Sequence, residues 1–208
     1  RLVRGHGRLA GPGVVEVDVA GGGTQCIEAR RGVVLNPGTR AAVPPIDGLA
    51  GTPFWTNHEA LEATVLPSSL VVIGGGPIGL ELAQAFARFG SEVTVVEVGP
   101  RILGPEEPEA SDVLRGAFER DGIDVREGDS ITSVSHDGTQ FTLDLASGTV
   151  HAEQVLVAAG RKPSIGDLGL ETVGLDPDAR SIEVDDAMLA TDGLWVVGDV
   201  AGRGAFTH

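Results

Sequence analysis

Residues 70–97 of this 208-residue chain read LVVIGGGPIGLELAQAFARFGSEVTVVE, and they carry its clearest structural signal. It opens with an apolar, largely β-branched run at residues 70–73 that is typical of a buried parallel strand. A GxGxxG motif follows at once, and apolar residues then recur at helical spacing over residues 77–89, with Gly90 placed to cap the helix C-terminus. A second strand at residues 93–96 completes a strand–helix–strand unit whose last residue is acidic.

Each glycine of this motif has its own predicted part in binding a dinucleotide. Gly74 permits the tight turn, Gly76 lets a pyrophosphate approach the backbone, and Gly79 lets the helix pack closely on the strand. Pro77 and Ile78 begin the helix, where unpaired N–H groups and the positive end of the dipole attract phosphate. The alternative, a glycine-rich turn without a ligand, is disfavoured because strand, helix and acidic residue are all in place.

The acidic residue Glu97 predicts which coenzyme the site prefers. It lies about 20 residues beyond the middle of the glycine motif, where an acidic side chain accepts hydrogen bonds from the adenine ribose. A carboxylate there also repels a 2′-phosphate. The sequence therefore predicts NAD as a cofactor, with NADH preferred over NADPH.

Composition limits the partners and the location. The hydrophobic and charged fractions, 41% and 22%, are those of an ordinary globular protein. A formal net charge of −15 disfavours polyphosphate backbones, so we predict neither nucleic acid nor a membrane as a partner. No apolar run approaches membrane-spanning length and no signal-peptide core is present, which predicts a cytoplasmic location. The only methionine is Met188, so we expect the chain to be processed or part of something longer.

We interpret the single cysteine and the main acidic cluster as structural features without a chemical role. Cys26 excludes an internal disulfide, and we expect it to be a small buried residue, with a reactive thiol as the alternative. Glu106, Glu107 and Glu109 precede a helix predicted over residues 109–121, where they complement the helix dipole, so no metal site is predicted.

The rest of the chain contains a weak internal repeat. A hairpin and a strand ending before a Gly-Thr-Arg turn are echoed by a three-stranded meander, a strand and a Gly-Arg-Lys-Pro turn, which implies two related nucleotide-binding domains. Two further strands are predicted near residues 181–184 and at residues 194–197, the latter running into Asp199. The predicted strands of the repeat are residues 14–19, 25–29 and 32–35, then 131–134, 141–145, 149–152 and 155–159.

Five motifs in this order resemble the pyridine nucleotide-disulfide oxidoreductase family, especially its lipoamide dehydrogenase and mercuric reductase-like branch. They are PPIDGL (44–49), TNHEAL (56–61), the glycine motif with its flanking strands, VLVAAGRKP (155–163) and TDGLWVVGDV (191–200). The resemblance implies an α/β fold in which a Rossmann-like NAD-binding domain, with a parallel sheet, helices and a three-stranded meander, is inserted in an incomplete FAD-binding domain of the same type. The implied bounds are 1–48 and 166–208 for the FAD-binding parts and 49–165 for the NAD-binding domain.

The resemblance also implies roles for individual residues. Glu81 is expected near the nicotinamide as the catalytic residue, since relatives pair this glutamate with a lysine beside the flavin. Asp199 is expected to hydrogen-bond the ribitol of FAD. The expected cofactor-binding residues are Gly74, Gly76, Pro77, Ile78, Gly79, Glu97 and Gly160 for NAD, and Gly38, Gly198 and Asp199 for FAD.

The function that follows from the resemblance is hydride transfer from NADH to FAD, and then to a small-molecule or disulfide electron acceptor. The full-length protein is expected to be a homodimer. Since this sequence has no second GxGxxG, no CxxxxC pair and no C-terminal dimerisation domain, we expect the 208-residue chain not to turn over alone. The alternative is a self-standing NAD-binding domain or sensor without catalysis.

Overall fold

A computed structural model describes residues 1–204 of the chain, which divides into two compact units. The first unit consists of Arg1–Arg40 with Arg161–His208, and the second is the continuous segment Ala41–Gly160. The chain therefore leaves the first unit once, builds the second without interruption, and returns.

The second unit is built on a four-stranded parallel sheet with strand order β12-β6-β7-β8. This order places the strand that precedes the glycine motif in the middle of the sheet. The sheet strands are β6 (Ser69–Ile73), β7 (Glu92–Glu97), β8 (Asp124–Glu127) and β12 (Gln154–Val157); the meander strands are β9 (Ile131–His136), β10 (Phe141–Leu145) and β11 (Gly148–Ala152); the helices are α1 (Asn57–Glu62), α2 (Pro77–Phe89) and α3 (Pro108–Arg120).

The helix predicted after the glycine motif is confirmed at both ends. It spans Pro77–Phe89, and Gly90 caps it in the left-handed conformation, with φ 113° and its N–H donating to the carbonyl of Phe86. The other predicted helix is also present, one residue earlier than expected at each end.

A capping box begins α1. The Glu59 carboxylate accepts the hydroxyl and the backbone N–H of Thr56 at 2.6 and 2.7 Å, and these bonds lower the pKa of Glu59. The first turn of this short helix is therefore capped by its own side chains.

Successive residues of β6 face two different cores. Leu70 and Val72 pack in a cluster with residues of α2 and α3, whereas Val71 and Ile73 pack in a second cluster with the meander strands. The sheet is therefore covered on both faces. This explains why its central strand is a continuous apolar run and does not alternate with polar residues.

The first unit contains an antiparallel meander of order β1-β2-β3 and a second sheet of order β14-β15-β4, in which β15 and β4 are parallel. A two-stranded sheet of β5 and β13 lies where the chain passes between the units. The bounds are β1 (Gly5–Gly11), β2 (Val14–Val19), β3 (Thr24–Glu28), β4 (Val33–Leu35), β5 (Thr39–Ala41), β13 (Arg161–Pro163), β14 (Leu189–Thr191) and β15 (Leu194–Val196).

The same succession of elements occurs twice along the chain. Each time, a three-stranded antiparallel meander is followed by a strand of a parallel pair, β4 or β12, and then by a short strand, β5 or β13. The predicted α/β fold with an internal repeat is thus present in the structure.

Two predictions about the first unit were wrong. Residues 181–184 form no strand: the N–H of buried Ile182 donates to the carbonyl of Val200, the carbonyl of Val184 accepts from the Arg203 side chain, and the chain then turns around the Asp185 side chain. Cys26 is exposed instead of buried, because β3 is the outer strand of its meander and four of its five residues face solvent.

The boundaries between the two compact units lie after residues 40 and 160. The connecting segment belongs to the second unit, since Asp47 forms a parallel bridge with Ser133 and Leu49 is fully buried in that unit's core. After residue 160 the chain belongs to the first unit, where the N–H of Ser164 donates to the carbonyl of Gly38 at 3.1 Å.

Every helix within residues 1–204 is too short or too polar to span a lipid bilayer.

Candidate functional site

The turn from β6 into α2 is fixed by a glycine that no other residue could replace. Gly74 has φ 113°, and a Cβ there would lie 2.5 Å from the carbonyl oxygen of Ala158. Its N–H donates to the carbonyl of Val96 at 2.9 Å, which extends the pairing of β6 with β7 into the turn. The tight turn therefore needs glycine both for its backbone angle and for the close approach of the neighbouring chain.

Gly76 has room for a side chain, unlike the other two glycines of the motif. It precedes α2 with an ordinary extended backbone, φ −84° and ψ 172°, and a Cβ there would meet nothing within 4 Å. Within residues 1–204, no backbone hydrogen bond uses its N–H. Pro77 and Ile78 follow as the first residues of α2, the former exposed and the latter half-buried. A ligand can thus approach the backbone directly at the positive end of the helix.

Gly79 serves the packing of helix on strand. A Cβ at Gly79 would lie 2.5 Å from the carbonyl oxygen of Gly74 and 3.1 Å from the Cβ of Ala158. The first turn of α2 therefore approaches the ends of β6 and β12 more closely than any side chain would allow.

Glu97, at the end of β7, faces this turn. One carboxylate oxygen accepts the N–H of Gly75 at 2.6 Å, and the other accepts the N–H of Gly99 at 2.6 Å. A carboxylate offers about four acceptor positions, so acceptor capacity remains on both oxygens for a hydroxyl donor. The sequence predicted Glu97 but neither backbone partner, because hydrogen bonds to a main chain leave no mark in side-chain patterns.

Gly160 and Glu81 complete the residues predicted for the second unit. Gly160 follows β12 with φ 117°, and its carbonyl accepts the N–H of Ala42 at 2.9 Å. Because β12 runs parallel to β6, Gly160 lies at the same carboxyl edge of the sheet as the glycine turn. Glu81 lies on the second turn of α2 with an exposed side chain.

The residues predicted in the first unit also meet at a carboxyl edge. β4 and β15 are parallel, so the segments that follow them, which contain Gly38 and Asp199, emerge side by side. Gly38 has φ 65° and open space beside it, whereas a Cβ at Gly198 (φ 79°) would lie 2.5 Å from the side-chain oxygen of Asn36.

The Asp199 carboxylate is held by two residues that the sequence reasoning did not select. It accepts the hydroxyl of Thr39 at 2.9 Å, and the Nε of Arg161 lies 3.9 Å from the same oxygen. Arg161 also donates to the carbonyl of Thr39 at 2.7 Å. The echoed Gly-Thr-Arg and Gly-Arg-Lys turns contained both residues, but the repeat indicated only where the chain turns.

Among residues 1–204, no three histidine, cysteine, aspartate or glutamate side chains converge as ligands of a metal ion. Glu106, Glu107 and Glu109 are exposed at the start of α3. The carboxyl edge of the sheet in the second unit has open backbone beside the N-terminus of α2. The carboxyl edge in the first unit has the hydrogen-bonded carboxylate of Asp199.

Residues 2–208 match the family described as pyridine nucleotide-disulphide oxidoreductase. The chain belongs to this family, whose relatives include FAD-dependent enzymes and oxidoreductases.

Curated relatives include a mercuric reductase of Shewanella putrefaciens, 35% identical over all of this chain and 37% of the relative, and a dihydrolipoyl dehydrogenase of Pseudomonas aeruginosa, 37% identical over all of this chain and 45% of the relative. The HOCl-induced flavoprotein disulfide reductase RclA of Escherichia coli has a similar structure, with TM-score 0.91 and 28% identity over all of this chain and 47% of that chain. This chain thus spans less than half the length of these relatives.

Proposed function

We propose that this chain binds NADH through its second unit and contributes to FAD binding through its first. In this proposal it is the NADH-binding central portion of an FAD-dependent oxidoreductase that passes hydride from NADH to FAD. The family membership supports the class of reaction, and the two carboxyl edges supply the residues that would hold the cofactors.

The observation that carries the proposal is the open backbone at Gly76. At Gly74 and Gly79 a side chain would clash with neighbouring protein atoms, so packing alone requires glycine there. At Gly76 a Cβ would meet nothing within 4 Å. A glycine that internal packing does not require, directly before a helix, fits close approach of a pyrophosphate. Glu97 stands at the neighbouring strand end with acceptor capacity left for the ribose hydroxyls.

The preference for NADH over NADPH follows from the charge of Glu97. Its carboxylate lies against the glycine turn, where the adenine ribose is expected, and would repel a phosphate on the 2′ oxygen. Gly74, Gly79, Pro77 and Ile78 shape the same turn, and Gly160 is proposed to close over the coenzyme.

Asp199 is suited to bind the ribitol of FAD, because its carboxylate is held in one orientation and can still accept a hydrogen bond. Thr39 holds one oxygen at 2.9 Å, which leaves the other free to accept a ribitol hydroxyl. Gly38, which has open space beside it, and Gly198 are proposed to line the same FAD site. Bound FAD would supply the redox chemistry, while the residues of this chain would orient it. Glu81 is proposed to lie beside the nicotinamide and to hold a cationic partner there.

The remaining properties belong to the whole protein and are proposed on the strength of the family. They are a small-molecule or disulfide electron acceptor, a homodimeric assembly, a cytoplasmic location, and no turnover by the 208 residues alone.

The experiment that tests the proposal is a fluorescence titration of the chain with NADH, with two alanine variants compared. Gly76→Ala leaves φ in an allowed region and meets no protein atom, so the fold should be kept while the methyl group obstructs the pyrophosphate. We expect NADH affinity to fall at least about tenfold, or about 1.4 kcal/mol, with no change in melting temperature. Gly116→Ala in α3 is the matched control and should bind like the unmodified chain. Equal NADH binding by Gly76→Ala would overturn the proposed site.

The second candidate function is a self-standing NAD-binding domain or sensor without catalysis. It is favoured by the completeness of the second unit, which has its own sheet covered on both faces. A measurement of FAD binding distinguishes the two candidate functions, because only the oxidoreductase requires FAD to bind in contact with Asp199.

A further inference from the structure

The loop that follows β7 contains an arginine whose two terminal guanidinium nitrogens both donate to acceptors of the same unit. Arg101 donates through Nη1 to the carbonyl of Leu103 at 2.9 Å and to the hydroxyl of Ser111 at 2.8 Å. Through Nη2 it donates to the carbonyls of Gly104 and Glu106 at 2.7 and 2.6 Å. Four acceptors around one planar fork fix the course of residues 101–106.

This loop is held in a conformation that it would not adopt by itself. Leu103 has φ 50°, in the left-handed region that a residue with a branched side chain avoids. Two further contacts tie the loop down: the hydroxyl of Ser111, which is 1% exposed, donates to the carbonyl of Ile102 at 2.7 Å, and the N–H of Ile102 donates to the Glu127 carboxylate at 2.8 Å. The Arg101 fork therefore maintains a strained backbone at Leu103.

The strained residue touches the glycine motif. The N–H of Leu103 donates to the carbonyl of Gly75 at 2.8 Å, and a Cβ at Gly75 would lie 2.9 Å from the side chain of Ile102. On its other side, the N–H of Gly75 donates to Glu97 at 2.6 Å. Gly75 is thus clamped from both of its peptide groups.

The hydrogen bonds that hold Gly75 also set the direction of the Gly76 N–H. The carbonyl of Gly75 and the N–H of Gly76 belong to one planar trans peptide, so they point in opposite directions. When Leu103 holds the carbonyl, the direction of the Gly76 N–H is set as well. That N–H has no backbone acceptor within residues 1–204, and it lies where the proposed function places the pyrophosphate.

We propose that Arg101 is a positioning residue for coenzyme binding: it holds Leu103 so that the peptide between Gly75 and Gly76 presents its N–H to the pyrophosphate. Arg101 does this without touching the coenzyme. The inference rests on the proposed function, since it assumes that a dinucleotide binds at Gly76.

The test compares Arg101→Lys with the unmodified chain by titration with ADP-ribose and, separately, with adenosine. Lysine keeps the positive charge but cannot serve four acceptors from one plane. We expect the Kd for ADP-ribose to rise about tenfold, as one charge-assisted hydrogen bond to phosphate is misaligned, while the Kd for adenosine stays the same. Arg88→Lys, an exposed arginine of the same unit that pairs with Asp121, is the matched control and should change neither constant.

The ratio of the two dissociation constants separates positioning from a structural role. A looser unit would weaken both ligands in parallel or lower only the melting temperature, and either result would overturn the inference. If the unmodified chain binds neither NADH nor ADP-ribose, it is the proposed function that fails. Should Arg101→Lys not fold, Ser111→Ala removes one of the four acceptors, and a smaller loss in the same direction is expected for ADP-ribose alone. No such loss would contradict the proposal.

Discussion

The carboxylate of Glu97 accepts the backbone N–H of Gly75 at 2.6 Å, so the acidic residue at the end of one strand is bonded to the middle of the glycine turn that follows another. The same carboxylate is proposed to bind the adenine ribose. In that proposal, one side chain both stabilises the turn and binds the coenzyme.

Replacing Glu97 by glutamine should weaken NADH binding and reduce the discrimination against NADPH. The amide can accept through one atom only, so one of the two backbone N–H groups loses its acceptor, and the repulsion of a 2′-phosphate disappears. We expect NADH binding to weaken by about 1.5–3 kcal/mol, the value of a hydrogen bond to a charged group. Fluorescence titrations with both coenzymes measure the change. Glu92→Gln, at the opposite end of the same strand, should leave both affinities as they are. Equal affinity of the unmodified chain for NADH and NADPH would contradict the assigned role.

Replacing Gly79 by alanine should destabilise the second unit. The added methyl would lie 2.5 Å from the carbonyl oxygen of Gly74, so α2 must move away from the sheet. Overpacking of this kind costs about 1–3 kcal/mol. Urea unfolding followed by circular dichroism measures the loss, and Gly116→Ala should show none, since alanine is favoured within a helix. Unchanged stability of the Gly79 variant would show that the helix is not tightly packed there.

Replacing Asp199 by asparagine should weaken FAD and leave NADH binding unchanged. Asparagine can still accept the Thr39 hydroxyl, but it presents no charge to a ribitol hydroxyl. We expect the affinity for FAD to fall at least about tenfold, since a hydrogen bond to a charged group contributes about 1.5–3 kcal/mol. Flavin absorbance after equilibration with FAD measures retention. Asp186→Asn, at an exposed position of the same unit, is the control. A parallel loss of NADH would show that the residue acts on the whole chain and not on the flavin alone.

The Asp137 carboxyl should make stability depend on pH in the acidic range. The backbone N–H groups of Thr139 and Gln140, together with the Thr139 hydroxyl, lower the pKa of Asp137 to about 2. Because the folded pKa lies below the unfolded value, the stabilisation is present above about pH 4 and is lost as the pH falls through about 2. The stability difference between the unmodified chain and Asp137→Asn should therefore shrink between pH 5 and pH 2. A difference that stays constant with pH would contradict the shifted pKa.

The sequence predicted the elements whose signals are local. The helix at residues 77–89 was confirmed at both ends because proline and glycine mark its limits and its apolar face is periodic. β1 had no comparable signal, since its glycines suppress the pattern of a strand. The structure explains one of them: a Cβ at Gly5 would lie 2.2 Å from the carbonyl oxygen of Asp18 on the paired strand.

What the sequence could not predict depends on contacts between distant segments. The exposure of Cys26 follows from the position of β3 at the edge of its meander, which residue types alone do not specify. The clamps around the candidate site, from Arg101 in one unit and from Thr39 and Arg161 in the other, are hydrogen bonds largely to main-chain atoms or between distant turns. Motif reading located the glycines and acids of the site but not the residues that hold them in place.

The most direct test of the account is a crystal structure of the chain with bound NADH. We expect the pyrophosphate within hydrogen-bonding distance of the Gly76 N–H, and the adenine ribose hydroxyls within the same distance of the Glu97 carboxylate. Electron density for the coenzyme at any other place on the chain, or a ribose turned away from Glu97, would contradict it.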